Sequence, residues 1–219
     1  MRQMQKAGAP VGAPSSAARA ASLTSSSSYS QPAQKTPARK RAHALFYDDT
    51  PENFAGAGPK GKHPNIICAR LTTALTVVQL TQALELHHHQ EANLKTDPNA
   101  PTPFFFFDFD GTLSLADGLL QVESGSGSLD RLFGSAERRR TLQLTVGTLL
   151  QAGRCYVLTA NGMVWRVAEA LNALLASGGA GRGFEARFVL EDTIRYTPAG
   201  TKLKTIEEII SSRGFVLCR

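Results

Sequence analysis

The stretch FFFFDFDGTLS, Phe104 to Ser114, decides how the rest of the chain is read. Four consecutive phenylalanines leave no wet face, so the run reads as a strand of a parallel sheet covered on both sides. It ends on Asp108 and Asp110, two residues apart, whose side chains start from the same side of an extended backbone. Gly111 lets the chain turn sharply beside them, and Thr112 adds a hydroxyl and a backbone N–H. Converging carboxylates repel each other unless a proton or a cation stands between them. A hard divalent ion with oxygen ligands meets that need. One carboxylate is then available for nucleophilic attack and the other for proton transfer.

A second acidic strand end lies upstream. ALFYDDTPENF, Ala44 to Phe54, reads as a buried strand delivering Asp48 and Asp49 to its tip. Around these two strands the chain alternates. NIICARLT reads as a strand, TVVQLTQALELHHH as a helix, and TDPNAPTP as a linker. A Gly/Ser stretch, ESGSGSLD, precedes a helix over Ala136–Leu150; GRCYVLTAN is a strand and GMVWRVAEALNALLAS an amphipathic helix closed by GGAGRG. FEARFVL reads as a strand, KLKTIEEIISS as a helix, and GFVLCR as a last strand. Strands alternating with helices predict an α/β fold with a doubly wound, mainly parallel sheet. Ligands in such sheets sit at the carboxyl ends of strands, where both acidic pairs lie.

Composition separates a tail from a body. Residues 1–41 carry seven cations and no acid, so the chain's +6 less the tail's +7 leaves residues 42–219 at −1. The basic balance belongs to the tail, and nucleic acid is not indicated as a partner of the body. The tail is rich in Ser, Ala and Pro, which bury little; it reads as disordered, or as an organellar or export signal, and composition does not separate these. Three widely spaced cysteines, Cys68, Cys155 and Cys218, argue against a disulfide framework and for a reducing compartment. No apolar run reaches the roughly 18–20 residues that span a bilayer, so a soluble protein is expected.

FFFFDFDGTLS resembles the first motif of the haloacid dehalogenase superfamily, hhhhDxDGT. The resemblance implies a Rossmann-like fold, Mg²⁺ as cofactor, and phosphoryl transfer through an aspartyl-phosphate. The family's second motif, a strand ending in Ser or Thr before a helix, is matched by CYVLTANG with Thr159. Its third, a lysine at the start of a later helix, is offered by Lys202 or Lys204 in TKLKTIEEII, with Lys204 preferred because it directly precedes the apolar residues. The fourth, a strand ending in two acids, is matched by LFYDDTPEN. That motif should follow the lysine helix and here precedes the first motif, which implies a circular permutation. The resemblance then makes Asp108 the nucleophile and Asp110 the proton donor. Thr159 and the lysine hold the phosphoryl group. Asp49, with Asp48, Asp108 and Asp110, faces the ion, and Asn53 braces the loop. Against the permutation stands GFVLCR, which falls where the fourth strand normally lies and carries no acid; in that slot it would displace Asp49.

Other features have plainer readings. His87, His88 and His89 are consecutive on a helix, point in different directions, and read as a solvated helix end rather than a zinc site. Arg138–Arg140 read as a charged helix face, with an anion-binding patch as the sharper alternative; Trp165, Val164 and Val167 read as core. Neither the gap Leu113–Arg154 nor Gly162–Thr201 can hold a cap domain of ordinary size. Capless relatives have open sites, so the expected partner is a phosphorylated substrate, macromolecular or small. A phosphotransferase of the same fold, or a non-catalytic binding module, are the rival readings.

Overall fold

The computed structural model describes residues 39–115, 128–177 and 184–218. The readings of the tail over 1–38, of the Gly/Ser stretch over 116–127 and of GGAGRG lie outside these residues. The elements run β1 (Lys40–Asp48), β2 (Ile66–Arg70), α1 (Val77–Thr96), β3 (Thr102–Phe107), α2 (Ser128–Phe133), α3 (Ala136–Gln151), β4 (Cys155–Thr159), α4 (Val164–Ala176), β5 (Ile194–Tyr196), α5 (Lys202–Ser212) and β6 (Phe215–Leu217). Every strand pairing is parallel, in the order β2-β1-β3-β4-β5, with β6 also on β1. This is a mainly parallel α/β sheet, as expected.

The phenylalanine run explains the layers. All six residues of β3 are buried. Phe105 and Phe107 pack with Leu80 of α1, Val146 of α3 and Leu171 of α4. Phe104 and Phe106 point the other way, to Phe46 of β1 and to Leu203, Ile206 and Ile210 of α5. Side chains alternate across a strand, so one sequence run supplies two cores. Each ring removed from water stabilises the fold by about 1.5–3 kcal/mol.

β1 serves two partners along one edge. Its first part, Lys40–Ala42, pairs with β6, and its second part, Ala44–Asp48, with β2. Its other edge pairs with β3 from Ala42 to Tyr47. GFVLCR therefore forms a strand but does not separate β1 from β3. Lys40 and Arg41, grouped with the tail by charge, belong to β1. Their exposed side chains sit on a strand whose backbone is paired, and composition alone could not register the pairing.

Four expectations are corrected. FEARFVL is not a strand: only Phe188 is buried, Val189 is 52 % exposed, and the chain reverses at Glu191, whose φ is +62°. The strand of this region is Ile194–Tyr196, three residues long. His87 is not at a solvated helix end. It lies mid-helix, 4 % exposed, with its ring edge-on to Phe105, while α1 continues to Thr96. Arg138 is buried, although Arg140 is exposed and Arg139 pairs with Asp130. Trp165 is 48 % exposed and carries the Arg166 guanidinium over its ring; Val167 is core. Among the described residues no helix is long and apolar enough to cross a membrane, and all three cysteines are free.

Candidate active site

The register of β1 against β3 builds the site. Tyr47 lies opposite Phe107, so Asp48 and Asp108 each follow one residue beyond the paired ends, and the Asp108 N–H donates to the Tyr47 carbonyl at 2.9 Å. By alternation Asp48 continues the face of Phe46, and Asp108 the face of Phe106. That is the face covered by α5. The first residue of α5 meets both: Lys202 Nζ donates to Asp48 Oδ2 at 2.8 Å and to Asp108 Oδ1 at 2.6 Å. Lys202 is only 1 % exposed.

This corrects the preference for Lys204. Counting back from Ile206, Ile209 and Ile210, the buried stripe of α5 reaches Lys202 and Leu203. Lys204 falls off the stripe, is 76 % exposed, and faces Glu208 one turn on. The helix KLKTIEEIISS already begins at Lys202, and its 3.6-residue period, rather than nearness to the apolar residues, decides which lysine faces inward.

Asp48 is a structural hub. Oδ1 accepts from the Thr50 N–H at 2.8 Å, and Oδ2 accepts from the Asn53 amide at 2.8 Å as well as from Lys202. Asn53 is itself buried and accepts from the Gly200 N–H at 2.8 Å. One side chain thus ties the tip of β1 to the turn that launches α5, the bracing role expected of it. Asp49 turns the other way, toward Gly111. A Cβ on Gly111 would stand 2.2 Å from Asp49 Oδ2, and Gly111 has φ +69°, so this position needs glycine on both counts. The two acidic strand ends meet through that absent side chain.

Oxygens of Asp48, Asp49 and Asp108 all lie within 4.8 Å of one another, a cluster that could hold a metal ion. The donor set is carboxylate only, which suits a hard divalent cation. Electrostatics fit as well. Burial pushes the Asp108 carboxyl up to about 7, with Lys202 pulling it down and Asp48 pushing it further up. One lysine does not neutralise the cluster, and a cation would restore the charged form of Asp108.

Two expected ligands or contacts sit differently. Asp110 is outside the three-carboxylate cluster; its Oδ2 accepts from the Asn161 amide at 3.3 Å. Asp110 keeps extended dihedrals, and the chain turns at Gly111 directly after it, with φ +69° and ψ −3°. Thr159 is fully buried at the end of β4, and its hydroxyl oxygen accepts from the Asn161 N–H at 3.0 Å. Ala160 and Asn161, rather than Thr159, line the cavity. Asn161 belongs to the CYVLTANG stretch, in which the sequence singles out only Thr159. Its amide on Asp110 and its own carbonyl, accepting from the Met163 N–H at 2.9 Å, make it a fixed part of the rim.

These groups floor an open cavity of about 600 Å³, whose other walls include Thr50, Thr72, Thr73, Leu115 and Ala199. Comparisons with protein-family models, with curated proteins and with solved structures find no match for this chain.

Proposed function

We propose that the chain is a Mg²⁺-dependent phosphohydrolase of the haloacid dehalogenase type, circularly permuted, working through an aspartyl-phosphate on Asp108. One observation carries the reading: Asp108 stands at a strand end on the cavity floor, 2.6 Å from a buried lysine and grouped with two further carboxylates. A carboxylate among anions is a poor place for a phosphate unless a cation is held there. Asp49 and Asp108 would hold it, because both oxygens of Asp48 already accept hydrogen bonds. When bound, the ion supplies charge neutralisation for nucleophile and phosphoryl group.

In this mechanism Asp108 attacks phosphorus through one of its carboxylate oxygens. The lysine offsets charge that shifts onto the phosphoryl oxygens. Asp110, steadied by Asn161, gives its proton to the leaving oxygen and then takes one from the water that opens the acyl-phosphate. The open cavity admits small or large phosphate esters. The parallel, adjacent placement of Ala44–Tyr47 and Phe104–Phe107 supports the permutation, since it brings the fourth motif beside the first.

The test is metal-dependent release of phosphate from p-nitrophenyl phosphate by the full chain. Asp108→Asn, which keeps shape and removes the attacking charge, is expected to lower turnover by roughly a thousandfold or more. Wild-type turnover in that variant would sink the assignment. An acceptor alcohol that diverts the phosphoryl group from water would move the reading to a phosphotransferase.

A further inference from the structure

Arg138 is 7 % exposed and, among the described residues, forms no ion pair. Among the described residues, its side-chain hydrogen bonds go to backbone carbonyls. Nε donates to Leu75 at 2.8 Å, Nη1 to Phe133 at 2.8 Å, and Nη2 to Leu113 at 2.9 Å and Thr112 at 3.4 Å. Burying a guanidinium costs several kcal/mol, and an apolar residue of similar volume in α3 would avoid that cost. Burial also lowers its pKa. What the guanidinium gains is geometry. Its planar fork is rigid, and it fixes three separate segments at once.

Two of those segments are cavity walls. Leu75 closes the loop that presents Thr72, Thr73 and Ala74, and Thr112 and Leu113 follow Asp110 and Gly111 directly. The Leu75 N–H also donates to the Thr112 carbonyl at 2.9 Å, so the walls are joined by one backbone bond and one side-chain fork. The Leu115 N–H donates to the Leu132 carbonyl at 2.8 Å, beside Phe133, which ties in α2.

We infer that Arg138 is a positioning residue: it clamps the loop after β3 against the loop before α1 and so fixes where the Asp110 carboxyl stands. The inference rests on the role proposed for Asp110. A proton donor matters most when the leaving oxygen is strongly basic. Misplacing Asp110 therefore penalises phenyl phosphate more than p-nitrophenyl phosphate, two esters of nearly equal size.

The experiment uses the full chain with Mg²⁺ and compares wild type with Arg138→Lys. The expected result is a kcat loss at least about tenfold larger for phenyl phosphate than for p-nitrophenyl phosphate, with KM for each changed by less than about threefold. Equal losses on both esters would mean a merely structural residue and overturn the inference. Amide hydrogen exchange supplies a readout that does not need turnover. In Arg138→Lys the Leu75 and Ser114 amides should exchange at least about tenfold faster, with Phe105–Phe107 unchanged. A uniform change, or none, overturns the inference. If wild type releases no phosphate from either ester, the proposed function fails while the exchange result still decides whether Arg138 is a clamp. Should Arg138→Lys not fold, Arg138→Gln takes its place. Should neither fold, wild-type exchange decides: Leu75 and Ser114 amides as slow as those of β3 support the clamp, and amides as fast as those at 58–61 overturn it.

Discussion

Lys202 and Lys204, two residues apart, make a controlled comparison. Lys202→Met leaves Asp48 and Asp108 buried without their cation, which is expected to cost about 3 kcal/mol in stability and most of the activity. Lys204→Met removes a solvated i,i+4 contact and should change stability by less than about 0.5 kcal/mol. Chemical denaturation of the two variants checks both. Gly111→Ala forces a Cβ into the Asp49 carboxylate and strains a positive φ, at about 1–2 kcal/mol. The expected outcome is a raised Mg²⁺ requirement, read from the metal dependence of thermal stability. His87 carries the pH prediction. Burial lowers its pKa, so the unfolded chain takes up a proton near the usual 6.5 while the folded chain resists it. Stability from this group is full above about 6.5 and is lost as pH falls below it. Melting temperatures at pH 8 and 5.5 should therefore differ more for wild type than for His87→Leu.

Elements show where pattern reading works and where it does not. α5 was legible to the residue, and the helices over 136–151 and 164–176 nearly so, because each buries a long apolar stripe. β3 was legible because no helix or exposed strand accounts for four phenylalanines before two acids. β5 was not: three residues offer no period, and the apolar FEARFVL drew the reading away from it. Within the site, carboxylates at strand ends could be read from spacing. The Asn161 contact and the buried Arg138 could not, since both depend on which loops the sheet brings together. β6 gives an element-scale test. It pairs with Lys40–Ala42, six residues from Asp48, or about 20 Å at 3.3 Å per residue. Deleting residues 214–219 removes that pairing and the contact of Phe215 with Phe104. The melting temperature should fall by several degrees while metal dependence stays as in wild type.

Across the whole molecule, charge and fold are separable. Residues 1–36 hold most of the tail's cations and precede the pairing of β1, which begins at Lys40. Removing residues 1–36 should leave turnover and melting temperature within about 1 °C of the full chain, by calorimetry and phosphate release; surface changes away from the core are worth little. A drop of many degrees would mean that the tail contributes to the fold.

The shared edges of β1 bear on how the chain reaches its native state. Among the described residues β1 lies inside the sheet, with β3 on one edge and β2 and β6 on the other. Its partners β3 and β6 begin at Thr102 and Phe215, and the lysine that joins Asp48 to Asp108 is 154 residues from one and 94 from the other. Contacts so distant in sequence form slowly, because long loops must close before they are rewarded. A nascent chain stopped at Gly200 would hold five strands of this sheet with α5 still missing, and one complete apolar face uncovered. Such a fragment should be protease-sensitive and prone to association. The full chain should resist both, with protection arriving in one step once α5 has emerged.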